Sequence, residues 1–191
     1  MTHLELLRWW HAPFCWRLAH DDTVRLWSVD QNTPTLWGHL RWMAAHLKGK
    51  ERGALIISDE QKPVGVYTSA VCRDGIVVGI SLLPSARGKG HAEFTLKCAA
   101  MSAYMHALPL YALIKPGNHR SRGAFERAGF WLSGTTDDGM PEGVVSRDCN
   151  EISRCRSTTY ASDQVISWRD VGVVAQSSAL IFAKSSSEKS R

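Results

Sequence analysis

The sequence predicts a single α/β domain with a mixed, mostly antiparallel sheet, and three observations carry that reading. Short apolar runs separated by polar turns occupy residues 54–83. A strand, a basic glycine-containing loop and a helix start follow one another around Pro84. Strand-like and helix-like segments then alternate as far as Leu132.

The 191 residues, 44% of them apolar, suffice for one compact core. Six of the eight tryptophans fall in the first fifty residues, which look helical. There Thr33-Pro34 reads as an N-cap followed by Pro at the first helical position. Leu36, Leu40, Met43 and Leu47 recur at helical spacing, and Gly49 can stop the helix. Ala54–Ile57 is a first strand, Asp59–Lys62 a polar turn and Val64–Val71 a second strand. Arg73-Asp74-Gly75 is a hairpin turn and Ile76–Leu83 a third strand, so the three form an antiparallel meander.

Pro84 ends that strand, and Gly90–Ala107 reads as a helix. Leu110–Ile114 is a strand, Ser121–Arg127 a short helix that Gly129 can close, and Phe130-Trp131-Leu132 begins another strand. The core therefore spans residues 1–134. Residues 135–163 are polar and irregular, a strand within 164–183 is the candidate to close the sheet, and 185–191 is a serine-rich tail expected to be disordered.

No run of apolar residues is long enough to span a membrane, and the first residues lack signal-peptide order, so a cytoplasmic location is expected. The five cysteines match no zinc spacing and read as reduced thiols, with no metal expected. The net charge of +5 is mild and suits an anionic ligand. No dense basic stripe points to nucleic acid.

The stretch Val78–Ala92 carries the chemistry. A basic loop between a strand and a helix start directs backbone N–H groups and the helix's partial positive charge at an anion such as a phosphate. An ordinary strand-to-helix turn would use glycine too. The loop is neither a Walker loop nor a dinucleotide fingerprint.

Arg87-Gly88-Lys89-Gly90-His91-Ala92 resembles the acetyl-CoA pyrophosphate loop of GNAT acetyltransferases, with Arg87, Gly90 and Ala92 at its defined positions. Asn118-x-x-Ser121-x-x-x-Phe125-x-x-x-Gly129-Phe130 resembles the second signature of that superfamily at matching spacing. The resemblance covers roughly residues 20–134.

It implies a GNAT fold with helices on both sheet faces and two splayed strands that hold acetyl-CoA. Leu82 and Leu83 would pair with pantetheine through their backbones, and the Leu82 N–H would stabilise the tetrahedral oxyanion. Amides of Gly88, Lys89, Gly90, His91 and Ala92, with the Arg87 charge, would hold the pyrophosphate, and Asn118 would contact the cofactor arm. Phe125 stands where many relatives carry a tyrosine that protonates the leaving thiolate, and phenylalanine has no proton to give. Ser81 is a candidate for orienting substrate, and His91, Glu93, His106 and His119 identify no general base.

Trp16-Arg17 followed by Val24-Arg25, then His39-Leu40-Arg41-Trp42, is similar to the opening of GNAT enzymes that act on sugar nucleotides, of the pseudaminic acid pathway type. That implies a small-molecule amine on a nucleotide-linked sugar, its base or sugar stacked on aromatics and its diphosphate paired with Arg17, Arg25 or Arg41. Core packing of the tryptophans, a protein N-terminal or lysine acceptor, a non-catalytic acyl-CoA-binding role and a homodimeric state all stay open.

Overall fold

The computed structural model describes residues 1–49, 51–72, 75–105, 109–134 and 144–147. Its strands are β1 (Thr2–Leu6), β2 (Arg52–Asp59), β3 (Lys62–Cys72), β4 (Gly75–Leu82), β5 (Leu110–Leu113), β6 (Trp131–Gly134) and β7 (Val144–Arg147). Its helices are α1 (Ala12–Ala19), α2 (Asp22–Arg25), α3 (Leu36–Lys48), α4 (His91–Met105) and α5 (His119–Arg127). The strands form one sheet in the order β1-β2-β3-β4-β5-β7-β6. Every neighbouring pair is antiparallel except β4 and β5.

The meander β2-β3-β4 forms as the sequence predicts. Glu60 and Gln61 turn the first hairpin with φ of 48° and 66°, a left-handed pair whose twist suits a two-residue hairpin. The second hairpin passes through residues 73 and 74, outside the described residues. α3 begins two residues later than expected. Thr35, not Thr33, is the N-cap, its hydroxyl accepting from the Gly38 N–H at 3.1 Å, and Gly49 closes the helix in the left-handed region at φ 63°.

Two expectations are corrected. The first residues are not helical: Thr2–Leu6 is an edge strand paired antiparallel with Leu55–Asp59 of β2. Its alternation of Leu4 and Leu6 with His3 and Glu5 is the period-two signal that marks it. The partner of β6 is Val144–Arg147, inside the stretch 135–163 read as irregular. It inserts between β5 and β6 and closes the sheet there. Four residues with two valines carry little periodicity of their own, and pairing on both edges makes them a strand. Residues 164–183 and the tail 185–191 lie outside the described residues.

Alternation along β2 splits the core between the two faces. Leu55 and Ile57 pack with Leu96 and Cys98 of α4, with Phe125 of α5 and with Ala128 at its C-cap. Ala54 and Ile56 pack with Phe14, Cys15 and Leu18 of α1 and with Met43 of α3. Ile56 and Ile57 are fully buried, each side chain contributing about 1.5–3 kcal/mol. Helices thus cover both faces, as a sheet apolar on both sides requires.

Gly65 in β3 has no room for a side chain. A Cβ there would lie 2.4 Å from Leu82 Cδ2 and 2.5 Å from the Ser81 carbonyl oxygen. The second contact is backbone and cannot rotate away. Gly65→Ala should lower unfolding free energy by about 1–3 kcal/mol in urea titrations, with the end of β4 displaced; a change under 0.5 kcal/mol would contradict this packing.

Candidate active site

β4 and β5 are paired only at their start, through Ile76↔Leu110 and Val77↔Tyr111. Beyond that point each follows its other neighbour. β4 stays in register with β3 from Gly75 to Leu82, and β5 stays with β7 from Leu110 to Leu113. The strands therefore part and leave a wedge in the middle of the sheet.

Backbone parity fixes which β4 groups face the wedge. The Ile76 N–H donates to the Pro109 carbonyl on the β5 side, and the Leu83 N–H donates to the Val64 carbonyl on the β3 side, both at 2.9 Å. Peptide groups alternate along a strand, so Val78, Ile80 and Leu82 turn theirs toward the wedge. The Leu82 peptide group is therefore among those that face the wedge. Leu83 does not face the wedge, because its amide is committed to Val64 of β3; Ile80 does. Counting in twos from Leu82 would have found Ile80.

The loop after β4 turns on Gly88 and Gly90, with φ of 77° and 84°. A Cβ at either would meet nothing within 4 Å, so both glycines border open space at the start of α4. This alternation of left-handed glycines with a helix N-terminus forms an anion-sized concavity. Lys89 is exposed there.

Arg87 is bound back to the protein. Its Nε donates to the Leu82 carbonyl at 3.2 Å and an Nη donates to Thr23 Oγ1 at 2.7 Å. The His91 side chain is buried away from the loop mouth. Its Nδ1 lies 2.8 Å from Thr2 Oγ1, and its Nε2 lies 3.7 Å from an Asp59 carboxylate that also holds the Met1 ammonium at 2.8 Å. That ammonium is the main cause holding the Asp59 carboxyl below its usual range. Of His91, only the backbone is left for the loop.

On the far lip, Asn118 caps α5 with Oδ1 accepting from the Ser121 N–H at 3.2 Å. Its side-chain NH2 is the donor left for the cleft. Phe125 is 2% exposed, edge-on to Phe130 with centroids 5.0 Å apart, and belongs to the core as well as the cleft wall.

The wedge opens into a cavity of about 1230 Å³. One arm runs along the glycine loop and Asn118. The other spreads over the α3 face of the sheet, where Thr68, Ala70, Val77, Gly79 and Ser81 form a floor of mostly small side chains under Trp42, His46 and Arg52. Ser81 stands opposite Val66 on β3, and Gly79 opposite Thr68, which fixes their shared face. The segment from Thr23 to Val29 straddles the two lips. Thr23 is tied to Arg87 on one side, and Leu26 accepts from Lys115 at 3.4 Å on the other.

Arg17, Arg25 and Arg41, expected at an acceptor diphosphate, do not line this cavity. Arg25 instead holds its own loop through the Asp30 and Asn32 carbonyls. Arg52, Arg120 and Arg127 are the arginines on the wall that sequence reasoning missed, together with His46. Trp27 and Trp42 line the cavity, whereas Trp9, Trp10 and Trp37 are on the surface.

Five rings join α1 to α3 in a continuous ladder. His20 to Trp16, Trp16 to His39, His39 to Trp42 and Trp42 to His46 have centroid separations of 3.8, 5.3, 5.9 and 4.3 Å. Its last two rings are cavity wall.

Among the carboxylates of the described residues, only Glu93 lines the cavity. Lys97 at 2.7 Å and Arg127 at 3.4 Å hold it ionised and lower its pKa, chiefly through the Lys97 hydrogen bond. Burial pushes the Cys15 and Cys98 thiols up to about 11, so neither is a ready nucleophile.

The sequence profile of the acetyltransferase (GNAT) domain matches residues 3–131. No curated protein matches the chain in sequence. Solved structures do match in fold. A spermidine N-acetyltransferase from Vibrio cholerae in complex with CoA and spermine is 16% identical, with TM-score 0.64 and coverage of 76% of this chain and 92% of that one. An aminoglycoside acetyltransferase with coenzyme A and kanamycin is 18% identical, with TM-score 0.65 and coverage of 77% and 94%. A ribosomal alpha-N-protein acetyltransferase in complex with coenzyme A is 15% identical, with TM-score 0.65 and coverage of 76% and 93%. No helix among the described residues is long and apolar enough to cross a membrane. With the profile spanning most of the chain and the parted strands supplying the cleft, the chain belongs to the GNAT acetyltransferases and is an acetyl-CoA-dependent N-acetyltransferase.

Proposed function

We propose that the chain acetylates the primary amine of a nucleotide-linked amino sugar by direct attack within a ternary complex. The observation that carries this reading is the cavity lining, with the glycine loop and Asn118 at one end and Trp42 with Arg52 at the other.

In the first arm, the amides from Gly88 to Ala92 hold the pyrophosphate and the Asn118 side-chain NH2 meets the cofactor arm. Ile80 and Leu82 pair with pantetheine as an added strand, and a cleft-facing N–H of β4, at Leu82, polarises the thioester carbonyl. Arg87 acts chiefly as a brace for the Leu82 carbonyl. In the second arm, Trp42 offers a face for a base or sugar, and Arg52 offers charge for a diphosphate. Ser81 lies on the floor between the arms and orients the acceptor. A polyamine would call for carboxylates, and among the described residues Glu93 is the one on the wall, already paired twice.

Gly90→Val tests the loop. The space around Gly90 is open, so the apo fold loses only the cost of a left-handed valine, about 1–2 kcal/mol. Calorimetry should show acetyl-CoA affinity falling at least tenfold with the fold intact; unchanged affinity would remove the loop from the site. Phe125→Tyr should keep acetyl-CoA affinity and give turnover equal to or above that of the native chain. A large loss of turnover in a folded variant would mean that position 125 serves packing alone.

The acceptor is tested with a UDP-linked 4-amino sugar, the free amino sugar, spermidine and N-terminal peptides at equal concentration. The nucleotide sugar should give the highest kcat/KM, because remote contacts position the reacting amine. Its advantage should shrink with added salt. Peptides outperforming both sugars would replace this acceptor with a protein amine.

A further inference from the structure

We propose that His46 is the general base of the acetyl transfer, its Nε2 taking the proton that the acceptor amine loses. This rests on the acetyltransferase activity and not on the identity of the acceptor.

The first observation is position. His46 lies on the last turn of α3 and lines the cavity arm opposite the glycine loop, above the floor made by Thr68, Ala70 and Gly79. Apart from Val77 the side chains of that floor are small, which leaves a substrate room between it and the imidazole.

The second is the tautomer. His46 Nδ1 lies 2.8 Å from the Trp42 carbonyl oxygen. A carbonyl oxygen only accepts, so Nδ1 carries the proton and Nε2 carries the lone pair. Burial lowers the His46 pKa from its ordinary value, against the smaller opposing effect of the Trp42 hydrogen bond, and Arg52 on β2 lowers it further. Among the described residues, Arg52 is the charged group that acts on it. The ring is therefore neutral at pH 7 and able to accept a proton.

The third is the failure of the other candidates. Glu93 is fixed as an ionised partner of two cations, and a carboxylate so stabilised is a poor base. The His91 ring is buried between Thr2 and Asp59. His119 lines the cavity too, but it is exposed at the first turn of α5, on the lip with Asn118. The ring ladder supplies the remaining requirement of a base, a fixed orientation. Trp42 packs on His46 at 4.3 Å and is itself stacked on His39, whose Nε2 donates to the Ala12 carbonyl at 3.2 Å.

The step balances without another reagent. The neutral amine nitrogen bonds to the thioester carbonyl carbon, and the C–S bond breaks. The nitrogen's proton passes to His46 Nε2. The CoA thiolate takes up a proton as the imidazolium returns one to solvent, so the products are the acetamide and CoASH. The missing hydroxyl at Phe125 then costs little, since a thiolate is a tolerable leaving group at neutral pH.

The test uses the full chain, acetyl-CoA and the best substrate of the amine set named above, with release of CoASH as readout. His46→Gln should lower kcat by about 10²–10⁴ and leave both KM values within threefold. It should also remove the acidic limb of the kcat–pH profile, which in the native chain falls as pH drops through a pKa below 6.5. His3→Gln, on the edge strand β1 and outside the cavity lining, should retain both the rate and the limb. A second measurement needs no acceptor: ¹⁵N-resolved NMR of the native protein should show His46 protonated on Nδ1, with a pKa below the ordinary 6.5. The proposal is overturned if His46→Gln stays within threefold of native kcat with the limb present. It is overturned as well if the variant raises the acceptor KM alone, or if NMR shows the proton on Nε2.

Discussion

The parting of β4 from β5 is the constraint on which the rest of the molecule depends. Two strands that pair for two residues and then diverge expose peptide groups in the middle of a sheet, where they would normally be satisfied. The divergence survives because each strand is fully paired on its other side, β4 by β3 and β5 by β7. It is backed from below by one core. Ile76 and Val78 of β4, Ala112 of β5 and Ile114 just beyond it pack in the same cluster as Leu96 of α4 and Phe125 of α5. The wedge is thus rigid, and its exposed amides are a built binding edge, not a frayed one.

The N-terminal segment acts on that wedge from the opposite face. α1 and α3 share a core with Ala54, Ile56 and Val66, and the ring ladder joins the two helices along their length. Between them the chain from Thr23 to Leu26 bridges the lips through Arg87 and Lys115. Asp21 stiffens this bridge. Its carboxylate accepts from the Thr23 hydroxyl and, at 3.2 Å, from the Val24 N–H that opens α2. The Thr23 oxygen that accepts from Arg87 is therefore itself held. Closing the cleft mouth and positioning the glycine loop are one network.

How much of this was legible depends on where each residue's signal lies. The meander, the glycine loop and Asn118–Phe125 were readable because local geometry dictates residue type there. Left-handed turns want glycine, an N-cap wants asparagine, and a strand buried on both faces wants Ile-Ile. β7 was not readable, since four residues become a strand only when two neighbours pair with them. β1 was hidden by the aromatic-rich helices that follow it, although Leu4 and Leu6 alternate. Arg17, Arg25 and Arg41 looked like ligand groups because sequence shows charge and not direction. In the fold Arg25 serves its own loop, and Arg52, at the end of a strand, reaches the cavity instead. His46 gave no sequence signal, because its value lies in which of its two nitrogens a carbonyl occupies.

The same logic explains how position 125 can be phenylalanine. A tyrosine hydroxyl there would have to be hydrogen-bonded or reach the cleft, since an unmet buried hydroxyl costs about 1–3 kcal/mol. Phe125 is 2% exposed and sits edge-on to Phe130 in the cluster beneath the parted strands. Filling that space with an apolar ring strengthens the base of the wedge and leaves proton transfer to another group. The chain therefore separates two tasks at the site, bracing the cleft from the α5 side and handling protons from the α3 side. The protonation chemistry then depends on the helix that carries Trp42 and His46, and the same helix supplies the acceptor's wall. On the proposed assignments, binding the acceptor and deprotonating it become one structural event, because a substrate stacked on Trp42 is seated beside the ring whose Nδ1 the Trp42 carbonyl holds.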